Sequence, residues 1–478
     1  MHEKALHWQS LTDRLPPPVK DEEIDRAWLA AAAQIEGKII VLDDDPTGVQ
    51  TVHAVPVYTS WDTDALRRVM RETAKVVYIL TNSRALTKSE TICLHGRLAA
   101  SLQLIAREEN QGMLLISRSD STLRGHYPAE THALYEVLAK DAAVDGEIIA
   151  PCFPEGGRFT IGDVHYVREG EMLVPAGRTE FARDPTFGYE SSDLKEWIAE
   201  KTGGAFPAAR VLAIPLEMLR RREIPAIADR LMSVTGFNKV VLNAVAYSDL
   251  KVFTIALAEA LARGKRFLFR TAASFVQVMG GIKPKPLLDR TTLYGTGVSG
   301  GPGLIVAGSY VQKTTAQLTR LRDLPGMAWV EWEAAAARTT RGLAAEADRV
   351  VSEVESALAF GMDVCVYTSR DYLRQEKSAV SERNLIFSTR VSDGLVRVVQ
   401  GLRTRPGFLV VKGGITSSDI GVKGLGVRRA MVMGQIRPGV PVWELGPESR
   451  FPGLPYIIFP GNVGTDETLK DVVEVLRG

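Results

Sequence analysis

Asp43, Asp44 and Asp45 stand side by side where the apolar run "KIIVLDDDPTGVQ" (38–50) ends. Adjacent carboxylates repel one another, so a chain that keeps three together must neutralise them or use them. Used, they can accept a hydroxyl proton, hold a cation or attack an electrophile. Two similar turns follow, "ILTNSR" (79–84) and "LLISRSDSTLRGH" (114–126), presenting Asn82, Arg84, Arg118, Asp120, Ser121 and Arg124. Guanidinium grips carboxylate or phosphate through paired hydrogen bonds, and aspartate accepts hydrogen bonds from hydroxyls. The set suits a small, anionic, hydroxylated ligand. Helix capping explains any one of these turns equally well; three turns carrying three arginines favour a site.

The second half of the chain offers a different chemistry. "VAGSYVQKTT" (306–315), "VVKGGITSSD" (410–419) and "FPGNVGTDE" (459–467) each run from an apolar stretch into Gly with Ser, Thr or Asn. Glycine lets a phosphate approach the backbone, and N–H groups at a helix start form an anion cradle. Gly308, Lys313 and Thr314 nearly spell a P-loop, but Gln312 stands where its second glycine is required, which argues against one. One such turn is an ordinary strand-to-helix connection; three favour a nucleotide.

The elements that would position these turns read as alternating strands and helices. Strand-like runs occur at 38–42, 54–58, 76–80, 112–117, 146–150, 210–214, 239–243 and 266–270. Amphipathic stretches lie between several of them, one opening with Ser89 as N-cap and one closing on Gly264. This pattern predicts an α/β protein with mostly parallel sheets flanked by helices, whose ligands sit at the strands' carboxyl ends. Residues 158–175 instead alternate like a hairpin. The Gly- and Pro-rich stretch 280–303 breaks the pattern, which restarts at "GLIVAG". The expected organisation is an N-terminal arm (1–30), a substrate domain (31–285), a linker (286–302) and a nucleotide domain (303–478), the two domains facing a cleft.

Lys plus Arg (58) nearly equal Asp plus Glu (57), which removes any bulk electrostatic case for nucleic acid or a membrane. Three scattered cysteines favour neither a disulfide framework nor a zinc knuckle. The N-terminus lacks the apolar core of a secretory signal, and no apolar run approaches a membrane span, so a cytoplasmic location is expected.

Two resemblances bear on the aspartates. Asp43, Asp45 and Thr47 fit the Asp-x-Asp-x-Thr of haloacid dehalogenase-type phosphatases, with Asp43 as nucleophile and Mg²⁺ on the cluster, although that family's later motifs have no clear counterpart. Over most of its length, however, the chain resembles the four-carbon acid sugar kinases. It matches their motifs at Asp44–Gly48, at Asp120–Gly125, and in "IIAPCFPEGGRFTIGDVHYV" (148–167) with Gly156, Gly157 and Arg158. It also matches them at Gly308, Ser309, Thr314 and Gln317, in "KGGITSSDI", and in "PGNVG". Six motifs in order are far more specific than one pentapeptide.

That resemblance implies an ATP- and Mg²⁺-dependent kinase acting on a hydroxyl of a tetronate or oxo-tetronate. Asp44 or Asp45 would be the catalytic base. Arg84, Arg118, Asp120, Ser121, Arg124 and Arg158 would bind the acid sugar. Ser309, Thr314, Gly413, Gly414, Ile415, Thr416, Ser417, Gly461 and Asn462 would bind the nucleotide. No metal ligand is assigned. The chain departs from the family pattern at Val311 (usually Ser), Arg118 (usually Lys), and Phe459 and Pro460 (often Lys-Ser). A phosphatase, or a non-catalytic nucleotide-binding protein, is the competing reading. Partners would be the small molecules alone, and a homo-oligomer is compatible with the sequence.

Overall fold

The computed structural model describes residues 5–13, 15–295, 300–309, 311–369, 382–461 and 463–478. Its contacts group the chain into two compact units, Met1–Gly48 with Ser60–Pro284, and Val49–Thr59 with Lys285–Gly478.

Among the described residues the first unit's parallel sheet has seven strands. In spatial order they are Leu212–Ile214, Asn238–Leu242, Gly146–Ala150, Phe267–Thr271, Met113–Arg118, Lys38–Asp43 and Val76–Leu80. Every neighbouring pair is parallel. Helices join successive strands, and the strand Lys38–Asp43 is buried along its whole length, as its unbroken apolar run requires. Register then does the positioning, because Asp43 pairs with Arg118 on one side and Leu80 on the other. The turns after all three strands therefore open on one edge.

Local signals set the helices. Lys88–Glu108 begins at Thr87, which forms a capping box with Glu90, so Ser89 lies inside the helix rather than capping it. Tyr247–Ala262 ends just before Gly264, whose φ of +94° suits glycine. The stretch expected to be a hairpin is part of a four-stranded antiparallel sheet of Leu6–His7, Met172–Pro175, Val164–Glu169 and Arg158–Ile161. Described residues of the expected N-terminal arm also form regular elements. Helix Asp21–Gln34 buries Trp28, whose Nε1 donates to the Val278 carbonyl at 2.7 Å.

Among the described residues the second unit has eight strands, ordered Val55–Tyr58, Arg429–Arg437, Val440–Leu445, Pro455–Phe459, Leu409–Lys412, Leu304–Ala307, Asp363–Thr368 and Met327–Trp332. The last five in that order are parallel, and the first three join them through antiparallel pairs. Val55–Tyr58 belongs here, although the sequence reading groups it with the first domain. The hairpin Arg429–Arg437/Val440–Leu445 is not among the strands expected from the sequence. Pro438 and Gly439 form its turn, with Gly439 at φ +77°. Among the described residues no helix is long and apolar enough to cross a membrane.

Candidate active site

At the carboxyl edge of the first unit's sheet, the aspartates and arginines interlock. Arg118 Nη1 donates to Asp43 Oδ1 at 3.0 Å and to Asp44 Oδ1 at 3.1 Å. Arg84 reaches Asp44 Oδ2 at 3.1 Å and Asp45 Oδ2 at 2.8 Å. Arg124 Nε pairs with Asp120 Oδ2 at 2.7 Å, and Arg84 Nη1 stands 3.9 Å from the other oxygen of Asp120. Neutralisation by guanidinium is thus how three adjacent carboxylates coexist here.

The three aspartates have different environments. Asp43 and Asp44 are each 2% exposed. Burial pushes the Asp43 carboxyl up to about 7 against the pull of Arg118. Burial likewise raises Asp44 to about 6, against Arg84 and Arg118. Burial also disfavours the Asp45 charge, but Arg84 and the Thr47 hydrogen bonds outweigh it and hold this carboxyl below the usual range. Thr47 supplies both its backbone N–H (2.8 Å) and its hydroxyl (2.5 Å) to Asp45 Oδ1. Gly48 is required by contact: a Cβ there would lie 2.1 Å from Asp43 Oδ1.

The remaining residues expected at this site divide into two kinds. Ser121 is buried, and its carbonyl accepts from His165 Nε2 at 2.8 Å. Burial lowers that imidazole to about 4, which keeps it neutral. Arg158 begins the strand Arg158–Ile161, and its guanidinium lies 5.7 Å from the centre of the Phe181 ring, which Arg124 faces at 5.0 Å. Sequence reasoning passed over the supports beneath. Ser83 donates to Glu130 Oε1 at 2.6 Å, and Arg270 Nη2 holds the Arg124 carbonyl at 3.0 Å. Glu130 lies in a helix and Arg270 in a strand, where spacing gives no hint of a polar role.

In the second unit, Leu304–Ala307, Leu409–Lys412 and Pro455–Phe459 lie side by side and parallel, so their three Gly-containing turns share one edge. Thr314 Oγ1 donates to Ser309 Oγ at 3.0 Å. A Cβ on Gly308 would meet Thr416 Oγ1 at 2.5 Å, and one on Gly461 would meet Ser309 Oγ at 3.4 Å. Gly413 adopts φ +122°, with Ser309 and Thr416 as its neighbours. Gly308, Ser309, Thr314, Gly413, Thr416 and Gly461 are therefore brought together at one edge of the sheet.

Ser417 is differently employed, because its hydroxyl donates to the carbonyls of Val411 (3.0 Å) and Gly413 (2.7 Å) and so holds the turn from below. Gly414 opens the short helix Gly414–Asp419, and the Ile415 side chain beside it is exposed. Lys313, the P-loop-like lysine, reaches the Gly464 carbonyl at 3.2 Å. Asn462 lies outside the described residues. Lys412 was not singled out from the sequence. It is fully buried, and its ammonium donates to the carbonyls of Pro460 (3.0 Å) and Gly461 (3.3 Å), tying two of the turns together. Its position immediately before Gly413 was the available signal.

Among the described residues no group of three or more His, Cys, Asp or Glu side chains is placed to hold a metal ion. The site's carboxylates are matched to guanidinium groups instead.

Comparison with known proteins agrees with this division of labour. Residues 39–279 match the family described as "Sugar-binding N-terminal domain", and residues 304–469 match "Nucleotide-binding C-terminal domain". A 3-oxo-tetronate kinase of Pseudomonas fluorescens is 27% identical over 381 residues, spanning 74% of this chain and 78% of that protein. A D-threonate kinase of Cupriavidus necator is 27% identical over 380 residues, spanning 75% and 78%. A crystal structure of a Haemophilus influenzae protein shares the fold, with TM-score 0.61 at 19% identity over 91% of this chain and 100% of that one. This chain belongs to the four-carbon acid sugar kinase family.

Proposed function

We propose that the protein transfers the γ-phosphoryl group of ATP to a hydroxyl of a four-carbon acid sugar, a tetronate or oxo-tetronate. The observation that carries this reading is the pairing of chemistries within one chain. One unit presents an aspartate–arginine cluster suited to an anionic polyol, and the other gathers Gly turns suited to phosphates. The names of its relatives point the same way.

Phosphoryl transfer asks mainly for positioning and charge neutralisation. Asp45 is the acceptor of the reacting hydroxyl's hydrogen bond in this scheme, because its side chain is 18% exposed while that of Asp44 is only 2% exposed. A strongly basic carboxylate is not required for such a loose transition state. Ser309, Gly413, Gly414, Thr416 and Gly461 would receive the phosphates. Mg²⁺ would arrive on the nucleotide, whose phosphates and waters commonly supply most ligands of that ion. A cytoplasmic setting, where ATP is available, fits this chemistry.

The phosphatase reading is less well supported. It needs Asp43 as an accessible nucleophile, whereas Asp43 is buried against Arg118 and Gly48. The test is incubation of the purified protein with ATP, Mg²⁺ and a panel of tetronates and oxo-tetronates. ADP and a phosphorylated acid are expected by mass spectrometry. Hydrolysis of phosphate esters with no ADP from any acid would overturn the kinase.

A further inference from the structure

We infer that Arg158 is the receptor for the substrate's carboxylate, and that Arg84, Arg118 and Arg124 serve chiefly to hold the aspartates. The inference rests on the kinase reading for the identity of the substrate and on geometry for the choice of arginine. Five arginines belong to the first unit's site, and Arg270, 2% exposed, is committed to the Arg124 carbonyl and lies over the Tyr127 and Trp197 rings. Arg118 is spent on Asp43 and Asp44, Arg84 on Asp44 and Asp45, and Arg124 on Asp120. An incoming carboxylate at any of these three would compete with aspartates already paired there.

Arg158 differs. Among the described residues no carboxylate forms an ion pair with it, and its Nε, like those of Arg84, Arg118 and Arg270, is sealed from solvent without a hydrogen-bond partner. Its Nη1 donates to the Gly156 carbonyl, which fixes the head of the side chain in the tight turn that Gly157 makes at φ +71°. The Phe181 ring flanks this guanidinium as well as that of Arg124, so two cations face one aromatic surface. A half-buried guanidinium without a paired carboxylate is costly, and an anion binding there would offset that cost. The guanidinium fork matches a carboxylate in geometry as well as charge. Asp120, held by Arg124, lies close enough to interact with Arg158 electrostatically, which sets a hydroxyl acceptor beside the carboxylate receptor.

The test compares a tetronate with the corresponding uncharged tetritol in wild type, Arg158→Gln, Arg158→Lys and Arg124→Gln. In Arg158→Gln the ratio of kcat/KM for acid over polyol should fall about 10–10²-fold, the scale of a charged hydrogen-bonded pair. KM for ATP should stay unchanged. Arg158→Lys should keep part of the preference, since it retains charge but loses the fork; it carries the test if the glutamine variant does not fold. Acid preference intact in both Arg158 variants, or lost only in Arg124→Gln, would overturn the assignment. Should wild type form no ADP with any acid, the kinase reading fails separately. Calorimetric titration of the tetronate then decides for Arg158: binding weakened in the variants supports the receptor, whereas unchanged or absent binding in wild type and variants removes it.

Discussion

Asp45 and Asp43 are two residues apart, yet their surroundings give them different work. Asp45 is partly exposed, and Arg84 and Thr47 hold its carboxyl below the usual range against burial. Asp43 is buried under Gly48 and held by Arg118. Replacement by asparagine keeps size while removing charge, so it separates chemistry from packing. Asp45→Asn is expected to lower kcat about 10²–10⁴-fold, the usual scale for a group that handles the reacting proton. Asp43→Asn should retain most activity, because Asp44 still engages Arg118. Steady-state ADP release with each variant checks the ranking. A larger loss for Asp43→Asn than for Asp45→Asn would return the phosphatase-like assignment to consideration.

At the scale of elements, the nucleotide unit depends on how closely two turns approach. Gly308 leaves no room for a methyl group because Thr416 Oγ1 occupies that space at 2.5 Å. Gly308→Ala must therefore push the Gly413–Thr416 turn away from Ser309. The expected result is a several-fold or greater rise in KM for ATP, with calorimetric affinity for the acid sugar unchanged. Truncating the obstacle in the double variant Gly308→Ala/Thr416→Ala should recover part of the loss if Thr416 contributes chiefly bulk, since neighbouring substitutions couple. An unchanged KM for ATP in Gly308→Ala would mean that the nucleotide lies elsewhere.

For the molecule as a whole, the buried aspartates link stability to pH. Burial raises Asp43 to about 7 and Asp44 to about 6, from an ordinary 3.8. Between the ordinary and the raised values the folded protein binds protons that the unfolded chain has released. The stability from this source is complete below the ordinary value and is lost as pH rises through about 6–7. Asp45 and Asp120, held below the ordinary range, act in the opposite sense and in a lower window, losing their contribution as pH falls. Thermal melts should therefore show Tm declining between about pH 4 and about pH 7, and Asp43→Asn should flatten part of that decline. Parallel profiles for variant and wild type would show that Asp43 carries no such linkage.

Much of this protein was legible in one dimension because its rules are local. Apolar runs alternating with amphipathic stretches specified parallel α/β architecture, since strands covered by crossover helices have no polar face. Gly next to Ser or Thr after a strand marked the turns that gather at one sheet edge, and the ordered motifs carried the family. The strand Val55–Tyr58 was visible as a strand, but its pairing with Arg429–Arg437 depends on a contact nearly four hundred positions away. The hairpin Arg429–Arg437/Val440–Leu445, turning at Pro438 and Gly439, was not read from the sequence. At the site, residue types suggested an anion-binding cluster without saying which charges cancel. Arg84, Arg118, Arg124 and Arg158 look alike in sequence. Register and burial decided that three hold aspartates and one does not, because ion pairing depends on distances that only the folded sheet sets.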